Sequence, residues 1–149
     1  MQVNTKPFGQ IDVDERQKIV FPHGLFGFEN LHDFVLLDAS QQPFFWLQSM
    51  EVVEIAFVLI DPRLFRSDYE LDVDAEELSE IGLADTKDRI DFAIVTIPEN
   101  SSKMTANLQG PVIINRRTKV GRQSISRNKK WKVRHLIMDE LKALEQESC

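Results

Sequence analysis

Two apolar runs lie close together in the first half of the chain, Phe44-Phe45-Trp46-Leu47 and Ile55-Ala56-Phe57-Val58-Leu59-Ile60. Each has strand length and is rich in β-branched and aromatic side chains. Gln42-Pro43 precedes the first and Asp61-Pro62 follows the second, where proline interrupts regular pairing. The pattern repeats outward, with Phe34-Val35-Leu36-Leu37 on one side and Phe92-Ala93-Ile94-Val95-Thr96-Ile97 and Val112-Ile113-Ile114 on the other. Turn formers at Pro22-His23-Gly24, Pro98 to Ser102 and Gly110-Pro111 punctuate these runs. The continuous runs 55–60 and 92–97 predict strands covered on both faces, whereas 9–14 and 104–109 alternate as half-exposed strands do. Several short strands with frequent turns predict a mostly β fold, a small single-domain antiparallel β-barrel-like body.

Two stretches read as helix. From Asp74 to Ile81 an aspartate stands at the capping position, and Leu78 and Ile81 share a face. From Val133 to Leu144 the residues Val133, Ile137, Leu141 and Leu144 form one apolar stripe beside the exposed pair Asp139 and Lys142. The spacing therefore predicts one short helix and a C-terminal helix, within one domain over 1–144, followed by a frayed polar tail over 145–149.

At 149 residues a chain can bury roughly 70% of its unfolded surface, enough to fold without staples. Hydrophobic residues make up 42% and charged ones 28%, which is ordinary for a soluble globular protein. No run is long and apolar enough to cross a bilayer, and the first residues lack the basic and apolar regions of a secretory signal. The only cysteine is Cys149, which rules out an intramolecular disulfide or a thiolate metal cage. The expectation is a cytoplasmic protein.

The formal charge of −6 conceals an asymmetry: residues 1–115 hold 8 Lys/Arg against 20 Asp/Glu, and residues 116–149 hold 10 against 4. An acidic body repels nucleic acid and attracts basic partners. Residues 116–135 contain nine Lys/Arg and no acid, with Trp131 among them, the composition of a backbone-tracking, base-stacking surface. An RNA-binding module using this basic segment is the alternative reading. Against it stand the absence of a recognised RNA-binding pattern and the use of basic residues to protect strand edges.

No enzymatic chemistry is legible. His23, His32 and His135 are scattered outside any metal-binding spacing. Ser49, Ser67 and Ser79 lack a nucleophile elbow, and the glycines do not form a phosphate-binding loop. The acidic run from Asp68 to Glu80 lacks the glycine and terminal glutamate of a calcium loop and reads as a solvated acidic face. Neither a cofactor nor a metal site is expected.

The ordered landmarks resemble a known family. They begin with Phe21-Pro22-His23-Gly24-Leu25-Phe26-Gly27-Phe28-Glu29, then Phe34, then Pro43-Phe44-Phe45-Trp46-Leu47-Gln48-Ser49. Phe57, Asp61-Pro62, Tyr69 and Ala93-Ile94-Val95-Thr96-Ile97-Pro98 follow. Met104-Thr105-Ala106-Asn107-Leu108-Gln109-Gly110-Pro111-Val112-Ile113-Ile114-Asn115, Gly121-Arg122-Gln123 and Arg134-His135 complete the series. Roughly residues 5–137 are covered, and the series resembles the flagellar assembly factor FliW family. Gly110 stands where that family has lysine or alanine, and His23 where it has an aliphatic residue.

The resemblance implies a non-enzymatic, β-barrel-like regulator that binds flagellin and the translational repressor CsrA. Once flagellin leaves the cell, the freed factor binds CsrA and relieves repression of flagellin translation. Such a switch requires coupled binding. The resemblance places candidate protein-binding residues in three groups: Phe44, Phe45 and Gln48; Asp61, Pro62, Tyr69 and Glu70; Asn107 and Pro111. Phe44 and Phe45 alternate across a strand, so one of them is expected to face the core. Neither direct nucleic-acid binding nor membrane association is expected, and the oligomeric state is left open.

Overall fold

The computed structural model describes residues 1–84 and 87–147, with the backbone alone at Glu147. Cys149 and the end of the expected polar tail lie outside the described residues. The strands are β1 (Gln2–Thr5), β2 (Gly9–Asp12), β3 (Lys18–Val20), β4 (Asp33–Asp38) and β5 (Phe45–Ser49). They continue as β6 (Ala56–Ile60), β7 (Arg89–Thr96), β8 (Thr105–Asn115), β9 (Val120–Gln123) and β10 (His135–Leu136). The helices are α1 (Ala75–Glu80) and α2 (Ile137–Glu147).

Strands β3 to β9 close into a seven-stranded barrel, in the order β8, β7, β6, β5, β4, β3, β9 and back to β8. Closure removes the open edges that a flat sheet would expose. Every pairing is antiparallel except the closing one, where β3 and β9 meet in parallel at Val20 and Val120. A ring with an odd number of strands cannot alternate direction throughout, so one parallel pair is unavoidable. The expected antiparallel barrel is thus correct in all pairings but this seam.

Side chains alternate across the barrel wall, as the period of two requires, except that β8 changes phase midway: Ala106 and Leu108 face outward, Val112 and Ile114 inward. Phe34, Leu47, Leu59, Phe92, Val112 and Ile114 fill the interior together with Phe21 and Leu25. The intervening residues face outward and are covered by three additions. The β1–β2 hairpin lays Val3 and Val13 on Val35 and Leu37. The segment around α1 lays Val73, Ile81 and Leu83 on Ile113. The third patch joins Phe65, Tyr69, Trp131 and Ile137 over Ile60, Ala93, Val95 and Ala106. Double coverage explains why 55–60 and 92–97 read as unbroken apolar runs.

Gly110-Pro111 does not end a strand as expected but lies inside β8. The two steps from Phe92 to Ile94 face the five from Asn107 to Val112, so β8 carries a wide bulge there. The Asn107 side-chain oxygen accepts from the Gln109 and Gly110 amides at 3.0 and 2.9 Å. The Gln123 amide donates to the Gly110 carbonyl at 2.9 Å. The bulge also divides the strand between partners: beyond it β8 pairs with β9, and before it with β10.

Two glycines are demanded by close approach. Gly24 has φ +66°, and a Cβ there would sit 2.5 Å from the Phe28 carbonyl oxygen. At Gly121 a Cβ would come within 2.6 Å of the buried Phe21 ring, so β9 closes over that ring only because a side chain is missing.

The short helix forms as expected: the Asp74 side chain accepts from the Glu76 amide, and Ile81 is buried. The C-terminal helix is displaced. It begins at Ile137, not Val133, and runs to Glu147. Residues before it run along β8 instead, with the Lys132 carbonyl accepting from the Leu108 and Gln109 amides. The Lys132 amide donates to His135 Nε2 at 2.8 Å, which fixes that turn. Val133 is consequently 51% exposed and outside the helical stripe.

Candidate partner-binding surfaces

The candidates do not converge on one patch. Phe45 points into the barrel, its ring centroid 5.3 Å from that of Phe92, while Phe44 points out to the patch beneath α2. Gln48 is fully buried, and its side chain is a tie. It accepts from the Lys6 amide at 2.8 Å and donates to the Ser49 and Val53 carbonyls at 2.9 Å. Asp61 accepts from the Arg63 amide and caps a 3-10 turn in which Pro62 is buried. Pro111 is buried in the bulge and Asn107 is half-buried beside it. Glu70 is exposed.

Tyr69 is buried with its ring centroid 5.0 Å from that of Trp131. Burial, aided by the Asp91 carboxylate, pushes the phenol well above its ordinary range. Asp91 is itself buried between Arg63 and Arg89, at 2.9 and 3.0 Å. The candidates nearest the core thus hold the fold together, and those open to a partner are Phe44, Asp61, Glu70 and Asn107.

The acidic run and the basic segment, far apart in sequence, largely neutralise each other. Arg122 pairs with Glu77 and Glu80, Arg127 with Asp72 at 3.1 Å, and Lys130 with Asp68. Arg66 also binds Asp68, and these two cations hold that carboxyl well below the usual range. Trp131 is 1% exposed, with Arg66 and Lys130 against its ring at 4.8 and 5.0 Å. The stacking platform suggested by composition is therefore absent: the indole belongs to the core, and five arginines and lysines of the segment serve intramolecular pairs, Arg116 and Arg117 with Asp88 among them. Within the acidic run, among the described residues, Glu70, Asp74 and Glu76 have no cation partner, Asp74 being engaged as the cap of α1, which leaves a narrower acidic face than the sequence suggested.

Two of the clefts among the described residues bear on partner binding. One, of about 550 Å³, crosses the outer wall between the β1–β2 hairpin and the connection from β7 to β8, lined by Trp46, Val58, Phe8, Phe44, Ile97 and Met104. The other, of about 510 Å³, opens at the barrel mouth beside Phe26, Phe57, Ile94, Asn107 and Val133. Sequence reasoning reached Phe44 and Asn107 and missed Phe8 and Phe26, whose isolated rings sit in turns without periodicity. The three histidines are dispersed: His23 lies by Glu80, His32 by the Phe21 carbonyl and His135 by Glu140. Among the described residues no group of three or more His, Cys, Asp or Glu is placed to hold a metal, and no helix is long and apolar enough to cross a membrane.

These features define a class: a small closed β-barrel, clad by a hairpin and a helix, whose open surfaces are apolar clefts. The sequence model of the FliW protein family matches residues 2–137. A flagellar assembly factor FliW of Treponema denticola is 46% identical over 143 residues, which cover 96% of this chain and 97% of that protein. One from Leptospira interrogans is 45% identical over 141 residues, 93% of this chain and 94% of its own length. A crystal structure of the flagellar assembly factor FliW superposes with a TM-score of 0.83 at 33% identity, covering 92% of this chain and 96% of the other. The chain belongs to the FliW family.

Proposed function

We propose that this chain is a cytoplasmic flagellar assembly factor, a non-enzymatic regulator that works in one domain by binding proteins. It holds flagellin while flagellin accumulates; freed of it, it binds and antagonises the translational repressor CsrA, relieving repression of flagellin translation. Family membership and the names of its relatives support the assembly role. The observation that carries the binding role is the uncovered outer cleft, where the fold leaves Trp46, Val58, Phe44 and Met104 facing an open groove about 550 Å³ in volume. A groove with an apolar lining accepts the apolar face of an amphipathic helix, the form in which flagellin would be held. The unpaired carboxylates Glu70 and Glu76 suit a basic partner such as CsrA.

Titration against flagellin and CsrA separately, then together, with a short RNA as control, tests this reading. Saturable binding to both proteins with competition between them is expected. Phe44→Ser should weaken flagellin about tenfold or more, as loss of an aromatic anchor does. Charge reversal at Glu70 should weaken CsrA. Binding to RNA alone overturns the reading.

A further inference from the structure

The mouth of the barrel is lined by two cations and no carboxylate. Its cleft is floored by the inward-facing side chains Phe57 and Ile94, and its rim carries Phe26 and Val133, 48% and 51% exposed. Phe26 is anchored there: its amide donates to Gln123 Oε1 at 2.9 Å, while Gln123 Nε2 is committed to Gly110. Two apolar side chains are thus held in solvent at the edge of an apolar cavity.

The charged groups lining this cleft are both cations and none is a carboxylate; Thr96 and Thr105 add hydroxyls that donate or accept. Lys103 and Arg134 line it, and among the described residues neither has an acidic partner, in contrast to Arg122, Arg127 and Lys130 of the basic segment. The Asn107 oxygen is consumed by two backbone amides of the bulge, which leaves its Nδ2 as the group available to the cleft. In a chain of net charge −6, two unmatched cations beside an apolar cavity mark a selective site. The cleft reaches Val133 and Arg134 on the approach to β10, the end strand of its sheet. An extended segment laid there meets a strand edge as well as the cavity.

We propose that the barrel mouth is a second docking surface, separate from the outer cleft, for an extended acidic segment of a protein partner whose apolar side chain enters between Phe26 and Val133 while flanking carboxylates meet Lys103 and Arg134. Phe26 and Val133 supply the apolar anchor site and the two cations supply selectivity. This surface suits the opposite partner charge from Glu70 and Glu76, so it does not depend on the CsrA reading.

The test uses the full chain and a dye-labelled, end-capped pentapeptide with a central phenylalanine between two pairs of glutamates, followed by fluorescence anisotropy. Two comparison peptides replace the glutamates by glutamine or the phenylalanine by serine. Saturable binding of the first, at least about tenfold tighter than either comparison and weakened by added salt, is expected. Lys103→Glu with Arg134→Glu should lower affinity about tenfold or more with an unchanged melting transition, and Phe26→Ser should do so independently. Equal binding of the glutamine peptide, insensitivity to the charge reversals, or no saturable binding overturns the proposal. So does displacement of the peptide by decanoate at matched concentration, which assigns the mouth to small carboxylates.

Discussion

Replacing Gln48 by methionine removes a buried tie while keeping its length. The side chain makes three hydrogen bonds of 2.8 to 2.9 Å, from the Lys6 amide and to the Ser49 and Val53 carbonyls, and a longer one of 3.3 Å to Ile55. At about 1 kcal/mol net for each of the shorter three, the loss approaches about 3 kcal/mol. The Ser49 bond is buried, so its carbonyl is left without solvent, whereas the Lys6 and Val53 groups are partly reached by water. Burial of the methionine returns a fraction, and the net destabilisation should be about 2–3 kcal/mol. For a chain of this size that corresponds to a melting temperature about 4–12 °C lower. Urea unfolding followed by tryptophan fluorescence measures it, and limited proteolysis should reveal earlier cutting around residues 1–13, because Lys6 loses its attachment to the barrel. A change within about 0.5 kcal/mol, the range of ordinary surface substitutions, would refute the reasoning.

Gly121→Ala should destabilise by about 1–3 kcal/mol through overpacking against Phe21, read as a lower urea midpoint with an unchanged slope. Tyr69 is the chain's one tyrosine, so tyrosinate absorbance reports it alone. Because burial raises its folded pKa, the stabilisation is complete below the unfolded value of about 10 and is lost as pH rises beyond it; phenolate should appear near pH 10 in urea and only at higher pH in the native protein. An ordinary native titration would contradict the burial of that ring. Arg66→Ala should loosen α2 by removing the pair with Glu140 at 2.8 Å and the packing on Trp131, lowering stability by about 1–3 kcal/mol with increased amide exchange over 137–147. Unchanged exchange there would mean that Ile137 and Leu141 hold the helix without help.

The longer strands were legible because their apolar runs are long, and double coverage of the barrel wall made those runs continuous. β3, β9 and β10 escaped notice because each has at most four residues, and Gly121 contributes no side chain to a pattern. The helix start was misplaced because Val133 stands four residues before Ile137 by spacing alone; the backbone pairing of Lys132 with β8 overrides that periodicity. Charge was the least legible feature. The acidic face and the basic segment looked like two separate surfaces, yet Arg122 reaches Glu80 across 42 positions, Arg127 reaches Asp72 across 55 and Lys130 reaches Asp68 across 62. Only the closed barrel brings them together. The family landmarks were readable in order, but which of them face outward was not: Gln48 and Tyr69 are polar residue types that the fold encloses.

The closing seam between β3 and β9 rests on one bridged pair, Val20 with Val120, which are a hundred positions apart in the chain. Local hairpins such as β4–β5 and β5–β6 bring together residues close in sequence, whereas this contact must close a long loop. The cylinder is therefore fastened like a belt with its buckle at Val20, where closing the loop costs more chain entropy than at any of the pairings between neighbours nearer in sequence. The same shortness makes it the place where the wall can part without disturbing the hairpins, so breathing of the barrel would begin there rather than at its broad, doubly covered β7–β8 side.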